Sequence, residues 1–234
     1  MKLIILAAGK GTRFYPLTQN IPKGLIAIQN RPLLEHVLDS YLDSVDDIIF
    51  VINDDLGNKV QDHFGSEYKG HKVSYVIQSG NDSKGTFGAL SLCKGLIGED
   101  MFCVSNCDDL LDKEDVANAI QQNIPGMGVS PSIMPWYYLS IDTNENNFVT
   151  GFRRHLKEDG QMITDNFSNG FYVLTPEIFS MNPVLTIDGE MGLPQTLFAN
   201  LDTYPLKAFP VKEWRSVNGP DDVPGAEEYI KNNK

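Results

Sequence analysis

The chain has 234 residues, enough for one large α/β domain or two small ones and for a sizeable buried core. With 41% hydrophobic and 21% charged residues, its composition is that of a soluble globular protein. A net charge of −12 argues against nucleic acid or an anionic membrane as partner, because both repel an acidic surface. A protein this acidic that binds phosphate must concentrate its cations at one place or use a metal ion.

The chain opens with a short apolar run that ends at a glycine-rich turn. Residues 2–8 read Lys-Leu-Ile-Ile-Leu-Ala-Ala, and residues 9–13 read Gly-Lys-Gly-Thr-Arg. The run is shorter than a signal sequence or a membrane span, so we expect a buried first strand in a cytoplasmic protein. Three cysteines without metal-ligand spacing or an even disulfide set agree with reduced, buried thiols.

The small residues of this turn predict an anion site. Glycine permits backbone angles and a close approach that a side chain would block, so the amides between Ala7 and Gly11 can contact a phosphate directly. Arg13 adds a planar fork of donors, and Lys23 adds a compact positive charge. Phe14 stands where a dinucleotide-binding fingerprint needs glycine, and no G-x-x-x-x-G-K-[ST] run occurs. A buried strand followed by a solvated turn is the alternative interpretation.

Apolar spacing then predicts helices and strands in alternation through the first half of the chain. The predicted helices cover 32–42, 57–64 and 85–97, and the predicted strands cover 48–52, 72–77 and 101–104. This alternation favours a parallel sheet with right-handed crossovers. Ligands of such sheets gather at the carboxyl ends of the strands, so the Gly9 turn, Gln78 and Asp108 are expected to converge there.

The second half is richer in strands joined by short turns. The predicted strands cover 126–133, 137–142, 148–154, 170–174 and 206–211, and the predicted helices cover 192–201 and 221–231. No long linker and no internal repeat divides the chain. We therefore expect the two halves to form one domain.

Motifs within the first 25 residues follow one another in a fixed order. They are Leu6-Ala7-Ala8-Gly9-Lys10-Gly11-Thr12-Arg13, Pro16-Leu17-Thr18, Pro22-Lys23 and Leu25. This pattern resembles the signature of the sugar-1-phosphate nucleotidylyltransferases, with Gly24 as a departure where many members have a second proline. The resemblance implies an α/β fold of the nucleotide-diphospho-sugar transferase type, with a Rossmann-like, mixed but mostly parallel sheet flanked by helices. It further implies a nucleotide-binding half over 1–120 and an acceptor-binding half over 121–234.

The resemblance also implies how a nucleoside triphosphate is bound. Arg13 and Lys23 would be the catalytic cations, Arg13 on the β- and γ-phosphates and Lys23 on the α-phosphate and the acceptor phosphate. Gln78 and Gly85 would recognise the base, although a lone glutamine is also common on polar surfaces. The remaining nucleotide contacts would come from Leu6, Ala7, Ala8, Gly9, Gly11 and Thr12.

A magnesium site is expected where Asp108 and Asp109 follow an apolar strand. Carboxylate oxygens beside phosphate suit Mg²⁺, although the pair would also suit a turn or a helix cap. The family has a metal-binding aspartate after such a strand, usually behind glycine, and Asp108 matches it with Cys107 in the glycine position. In a late tryptophan-to-proline motif, thymidylyltransferases have aspartate where Ser216 stands, whereas N-acetylglucosamine-1-phosphate uridylyltransferases use an asparagine like Asn218. We predict Asp108 and Asn218 as ligands, with Ser216 or a plain Asn-Gly turn as alternatives.

Acceptor contacts are expected from three segments that resemble family motifs. Arg154 falls where the family has a lysine for the sugar phosphate, and Arg153 replaces a glutamate, which makes the site more basic. Asn169-Gly170 resembles an Asn-Ala-Gly segment that contacts sugar hydroxyls, and Glu190 matches a further position that touches the sugar. A paired surface for the arginines and a first-turn glutamate at a helix start are the alternatives.

These residues together predict in-line attack of an acceptor phosphate oxygen on the α-phosphorus of a nucleoside triphosphate, with release of pyrophosphate. Because the acceptor phosphate is already an anion, catalysis needs only positioning and charge neutralisation. The expected partners are the triphosphate, a sugar 1-phosphate or other phosphate acceptor, and Mg²⁺, without nucleic acid or membrane. The family often forms dimers or tetramers, so a homo-oligomer stays open for this chain. No acyltransferase-like domain is expected beside the core fold.

Two other functions stay open. A cytidylyltransferase for a non-sugar phosphate such as phosphocholine shares the N-terminal motif and is favoured by Arg153. The aromatic run 136–138 would line an acceptor pocket or a core or dimer contact, and the sequence shows no evident aromatic-acidic choline cage. A regulatory subunit that binds nucleotide without turnover is favoured by Ser216 in place of aspartate. The retained cations and Asp108 argue against that alternative.

Overall fold

A mixed β-sheet forms the centre of the protein, with helices on both of its faces. The computed structural model describes residues 1–80, 84–155 and 162–233. The strands are β1 (Lys2–Leu6), β2 (Ala27–Ile28), β3 (Arg31–Pro32), β4 (Asp47–Asn53), β5 (Glu67–Tyr68), β6 (His71–Gln78), β7 (Phe102–Asn106), β8 (Asp109–Leu111), β9 (Gly126–Pro135), β10 (Ser140–Thr143), β11 (Val149–Arg153), β12 (Met162–Leu174), β13 (Val184–Leu185), β14 (Met191–Gly192), β15 (Lys207–Pro210) and β16 (Trp214–Ser216). The helices are α1 (Leu33–Asp39), α2 (Gly57–Phe64), α3 (Thr86–Ser91), α4 (Lys94–Ile97), α5 (Lys113–Gln121), α6 (Leu193–Phe198) and α7 (Val223–Asn232).

The strands of the central sheet follow the order β11-β10-β12-β7-β1-β4-β6-β5, with β9 beside β12 and β15 beside β9. β7, β1, β4 and β6 are parallel, and their alignment sets Leu3 between Ile48 and Cys103. β12 runs antiparallel to β7 and connects this parallel part to the hairpins of the second half. The predicted fold class is thereby confirmed.

The first strand shows why helices lie on both faces of the sheet. Leu3 and Ile5 pack into one core layer with α1, α2, α5 and α7, whereas Ile4 packs into the other with α3, α4 and α6. A continuous apolar run is what a parallel strand buried on both faces requires. Cys93 and Cys103 are also buried and form no disulfide, and burial raises the pKa of each thiol to about 12. These thiols are therefore neutral near pH 7.

Two helices differ from the sequence-based prediction. The helix predicted over 85–97 is interrupted after Ser91, whose hydroxyl donates to the carbonyl of Phe87 at 2.8 Å, a bond that tends to bend helices. Helix α5 was not predicted, yet Asp112 caps it by accepting from the amide of Asp115 at 2.8 Å. An aspartate before an acidic first turn is the local signal that could have found it. Within the described ranges, no helix is long and apolar enough to cross a lipid bilayer.

Two strands also differ from the prediction in extent. The strand predicted over 170–174 is only the end of β12, whose polar first half pairs with β9 from Met162 onward. This half was missed because its side chains are largely exposed and lack the apolar pattern of a core strand. The strand predicted over 137–142 begins only at Ser140, after a turn in which the amide of Tyr138 donates to the carbonyl of Pro135 at 3.0 Å.

Candidate active site

The carboxyl ends of the parallel strands open into a cavity of about 880 Å³. This is the edge at which open α/β sheets bind their ligands. Most of the predicted site residues lie in its wall, although they come from segments spread over more than 200 positions of the chain. They are Leu6, Ala8, Gly9, Gly11, Thr12, Arg13, Lys23, Gln78, Gly85, Asp108, Glu190 and Asn218. Ala7 is buried directly behind this wall.

The glycine-rich turn packs tightly against the segment that carries Lys23. Gly11 adopts a left-handed conformation with φ of +61°, and a Cβ there would lie 3.1 Å from the Cβ of Lys23. The hydroxyl of Thr18 donates to the carbonyl of Gly11 at 2.8 Å and ties the two segments together. Glycine at this position therefore sets the distance between the turn and the lysine.

Lys23 is buried and forms an ion pair with Asp108 at the end of β7. Its ammonium group also lies 5.9 Å from the centre of the Phe14 ring. The two side chains keep only 9% and 18% of their exposure, so each charge depends on the other for compensation. The predicted catalytic cation and the predicted metal ligand are thus neighbours across 85 residues of sequence.

A short β-ribbon brings the late tryptophan motif to Asp108. Strand β8 pairs with β16, which sets Ser216 opposite Asp109. The amide of Val217 then donates to the carbonyl of Asp108 at 2.8 Å, and Asn218 reaches the cavity wall beside it. The sequence predicted that these segments meet but contained no local sign of the ribbon that joins them.

Asp109 is the buried anchor of this ribbon. One of its carboxylate oxygens accepts from Trp214 Nε1 at 2.7 Å, and the other accepts from Asn106 Nδ2 at 2.9 Å. Burial, reinforced by the charge of Asp108, raises the pKa of Asp109 to about 7. Sequence reasoning gave no role to Trp214 as a donor, because its partner Asp109 lies 105 residues away.

The two residues predicted to recognise the base, Gln78 and Gly85, lie together in the wall of the cavity. Gln78 Nε2 approaches the carbonyl of Gly85 at 3.4 Å. Gly85 has φ of +91°, and a Cβ there would lie 2.4 Å from the carbonyl oxygen of Met191. Only glycine fits at this position, because any side chain would displace the backbone of β14. Residues 81–83 of the intervening loop lie outside the described ranges.

A second cavity of about 290 Å³ adjoins the first. Arg13, Asp108 and Asn218 line both cavities and so mark their junction. The wall of the second cavity includes four aromatic side chains, those of Tyr137, Tyr138, Tyr172 and Trp214. A third cavity of about 220 Å³ contains Glu190 and the polar side chains of Thr186 and Gln195.

Asn169 and Gly170 lie in the wall of the second cavity, at an irregularity in β12. Asn169 is fully buried, and its amide donates to Ser130 Oγ at 3.0 Å and accepts from the amide of Phe171 at 3.2 Å. Gly170 has φ of +79°, and a Cβ there would lie 2.1 Å from Asn106 Nδ2. Both residues therefore shape the wall.

Arg154 lies outside these cavities. Its exposed guanidinium stacks over the ring of Phe152 at 6.0 Å. Arg153 pairs with Asp142 at 2.8 Å and with Asp165 at 2.9 Å, which is the paired-surface alternative considered from the sequence. The acceptor role of Arg154 stays a prediction, and the next segment, 156–161, is outside the described ranges.

The residues of this site fit a magnesium ion. Asp108 and Asn218 carry hard oxygen donors in the wall shared by both cavities. No cluster of three or more histidine, cysteine or acidic side chains suited to a metal occurs in the part of the chain described by the structure. Mg²⁺ needs few protein ligands, since it keeps waters and takes phosphate oxygens from its substrate.

Comparison with known proteins identifies the family. Residues 2–135 match the family model described as nucleotidyl transferase. The chain belongs to this family. The resemblance to sugar-1-phosphate nucleotidylyltransferases seen in the N-terminal motifs is therefore confirmed, as is the class of enzyme to which the chain is related.

Two curated relatives show how far the likeness extends. The bifunctional protein GlmU of Methanococcus vannielii is 28% identical over 100% of this chain and 56% of its own length. UTP–glucose-1-phosphate uridylyltransferase AglF of Haloferax volcanii is 28% identical over 76% of this chain and 74% of its own length. The chain thus spans about half the length of the GlmU proteins that it matches.

Solved structures share the fold of this nucleotidyl transferase family member. A UDP-glucose pyrophosphorylase complexed with UDP-glucose has a TM-score of 0.84 and 19% identity, covering 100% of this chain and 99% of its own. The inositol-1-phosphate CTP transferase of T. maritima has a TM-score of 0.80 and 19% identity, covering 99% and 95%. At these identities the likeness establishes the fold alone.

Proposed function

We propose that this protein joins a nucleoside triphosphate to a sugar 1-phosphate, giving a nucleoside diphosphate sugar and pyrophosphate. The observation that carries the proposal is the junction of two cavities at Arg13, Asp108 and Asn218. A reaction between two phosphates needs two compartments that meet where charge accumulates. AglF, a UTP–glucose-1-phosphate uridylyltransferase, supports a sugar phosphate as the acceptor class.

The chemistry requires one bond to form and one to break. An oxygen of the acceptor phosphate attacks the α-phosphorus, and the bond from that phosphorus to the bridging oxygen of the pyrophosphate breaks. The electron pair leaves with pyrophosphate, and no proton has to be moved. Lys23 would neutralise the α-phosphate and the incoming phosphate, and Arg13 would bind the β- and γ-phosphates through its planar donors.

Asp108 and Asn218 would hold Mg²⁺ between them through a carboxylate and an amide oxygen. When bound, the ion neutralises phosphate charge and aligns the triphosphate. Lys23 and Asp108 form an ion pair, so both groups already lie where the metal and the phosphates would bind. Mg²⁺ on Asp108 would satisfy its charge, and a phosphate would satisfy that of Lys23.

The remaining predicted contacts belong to the base and the acceptor. Gln78, together with the backbone at Gly85, would recognise the base within the large cavity. Glu190 would contact the acceptor, and its cavity also contains the hydroxyl of Thr186 and the amide of Gln195, groups that suit sugar hydroxyls. Single-domain organisation and a cytoplasmic location stay among our predictions, and the oligomeric state stays open.

A second candidate is a cytidylyltransferase for a phosphate ester with a quaternary ammonium group. The observation favouring it is the aromatic wall of the second cavity, where Tyr138 lies 5.8 Å from Trp214 and 5.2 Å from Tyr137. Asp109 lies in the same wall. Aromatic faces beside a carboxylate are the surroundings that such cations prefer.

A panel of acceptors would decide between these activities. Pyrophosphate release should be measured for UTP, CTP, ATP, GTP and dTTP with glucose 1-phosphate, N-acetylglucosamine 1-phosphate and phosphocholine, with and without Mg²⁺. Mg²⁺-dependent release with a sugar 1-phosphate supports the proposal, and release with CTP and phosphocholine alone supports the second candidate. If no combination gives release while one triphosphate still raises the melting temperature, the chain binds nucleotides without turnover.

A further inference from the structure

We propose that Tyr138 and Ser216 are positioning residues that fix the amide of Asn218 with its carbonyl oxygen available to a metal ion. The inference rests on the proposed function and deepens it, since it concerns how the second predicted ligand of the same metal site is held. It also gives Ser216, the residue that replaces an aspartate of related enzymes, a role other than coordination. The three side chains meet in the wall of the second cavity, beside Asp108.

The amide nitrogen of Asn218 is fully occupied by two hydroxyl groups. Nδ2 donates to the hydroxyl of Tyr138 at 2.6 Å and to Ser216 Oγ at 2.7 Å. A side-chain amide has two N–H groups, so these bonds use its entire donor capacity. The carbonyl oxygen is the remaining polar atom, and an oxygen is what Mg²⁺ accepts as a ligand.

The place of Ser216 is fixed by the ribbon of β8 and β16. Ser216 lies opposite Asp109 in this ribbon. The carboxylate oxygens of Asp109 accept from Trp214 Nε1 and Asn106 Nδ2, at 2.7 and 2.9 Å, and so anchor the ribbon. The hydroxyl of Ser216 is therefore held at a fixed position beside the amide of Asn218.

Tyr138 is held in place by its aromatic neighbours. Its ring centre lies 5.8 Å from that of Trp214 and 6.3 Å from that of Phe167. Because the hydroxyls of Tyr138 and Ser216 both accept from Nδ2, the two bonds fix the plane of the amide and direct its carbonyl oxygen away from them.

The backbone holds this arrangement at a fixed place beside Asp108. The amides of Asn218 and Gly219 donate to Asp222 Oδ2 at 2.7 and 2.9 Å. The amide of Val217 donates to the carbonyl of Asp108 at 2.8 Å. Because the main chain is fixed on both sides, the remaining freedom of Asn218 is in its side chain, which is what Tyr138 and Ser216 restrict.

Binding of Mn²⁺ alone, followed by electron paramagnetic resonance of the free ion, tests the proposal without turnover. We expect Tyr138→Phe and Ser216→Ala each to weaken Mn²⁺ affinity about tenfold, the lower range for partners that orient a metal ligand. Tyr204→Phe is the matched control, because it removes a tyrosine hydroxyl that bonds to Thr175 at 3.0 Å, outside the site. Its affinity should stay within about twofold of the wild type.

A double-mutant cycle separates positioning from general damage. In an Asn218→Ala background, Tyr138→Phe should change Mn²⁺ affinity by less than about twofold, because the residue through which it acts is gone. Turnover should need more metal for half-maximal rate in Tyr138→Phe, whereas Tyr204→Phe should keep the metal dependence of the wild type. If Ser216→Ala does not fold, Tyr138→Phe and the cycle suffice.

Three results would overturn the assignment. The first is a wild-type protein that does not measurably bind Mn²⁺. The second is an Mn²⁺ affinity of Tyr138→Phe and Ser216→Ala equal to that of the wild type. The third is a loss of Mn²⁺ affinity on Tyr138→Phe that persists in the Asn218→Ala background. The proposed function fails separately. If the wild type binds Mn²⁺ through this network but releases no pyrophosphate, the positioning role of Tyr138 and Ser216 stands and the proposed reaction is wrong.

Discussion

Replacing Lys23 by methionine tests the ion pair at the centre of the site. Methionine preserves much of the side-chain volume and the contact with Phe14 but removes the positive charge. Asp108 would then be a carboxylate with 18% exposure and without its counter-charge. Removing one partner of a buried pair costs about 3–5 kcal/mol, and the exposure that Asp108 keeps at the cavity lowers our expectation to about 2 kcal/mol.

The same variant should respond more strongly to metal than the wild type. In the wild type a divalent cation competes with the ammonium of Lys23 for Asp108, and in Lys23→Met this competitor is absent. A ligand at one hundred times its Kd stabilises the folded state by about 2.7 kcal/mol. Mn²⁺ or Mg²⁺ should therefore restore most of the stability that the substitution removes.

Urea unfolding with and without Mg²⁺ measures both effects. Asp108→Asn serves as the complementary variant, and Lys23→Met combined with Asp108→Asn should be less destabilised than Lys23→Met alone, because no unpaired charge remains. Two results would contradict this role of the ion pair. One is a loss of less than about 0.5 kcal/mol in the unfolding free energy of Lys23→Met without metal, and the other is equal stabilisation of the wild type and Lys23→Met by Mg²⁺.

Three further predictions concern the metal ligand, the wall glycine and a remote histidine. Asp108→Ala should abolish Mg²⁺-dependent pyrophosphate release, and near-normal rates would exclude it as a ligand. Gly170→Ala should lower the free energy of unfolding by about 2–3 kcal/mol, because strain at φ of +79° adds to a clash 2.1 Å from Asn106 Nδ2. Gly189→Ala, with φ of +76° and no atom within 4 Å, should cost only about 1 kcal/mol, and equal losses would contradict the clash. Burial lowers the pKa of His36, so its contribution to stability is present above about pH 6.5 and is lost as the pH falls further. In urea titrations, His36→Gln should flatten the dependence of the unfolding free energy on pH. An unchanged pH dependence would exclude His36 as its source.

Local sequence was sufficient for the parts of the protein that depend on neighbouring residues. The buried first strand, the glycine-rich turn and helix α2 lie where apolar spacing and small residues predict them. The convergence of the Gly9 turn, Gln78 and Asp108 on one cavity also followed from the sequence. It did so because parallel strands present their carboxyl ends at the same edge.

Local sequence was insufficient where side chains depend on distant partners. Arg153 and Arg154 have the charge expected of an acceptor site, yet Arg153 pairs with carboxylates on two other strands and Arg154 stacks on Phe152. A motif specifies residue type, whereas the direction of a side chain follows from strand pairing and from the charges that it meets.

The metal site shows most clearly what local sequence determines and what only the tertiary structure determines. Its aspartate could be named from an apolar strand and a family motif, but the choice between Ser216 and Asn218 could not be made from spacing. The tertiary structure bears on that choice through the ribbon of β8 and β16, which sets Ser216 against Asp109 and leaves Asn218 at the cavity. Hydrogen bonds between segments about 80 to 105 residues apart then orient the amide, and such bonds exist only once the sheet has formed.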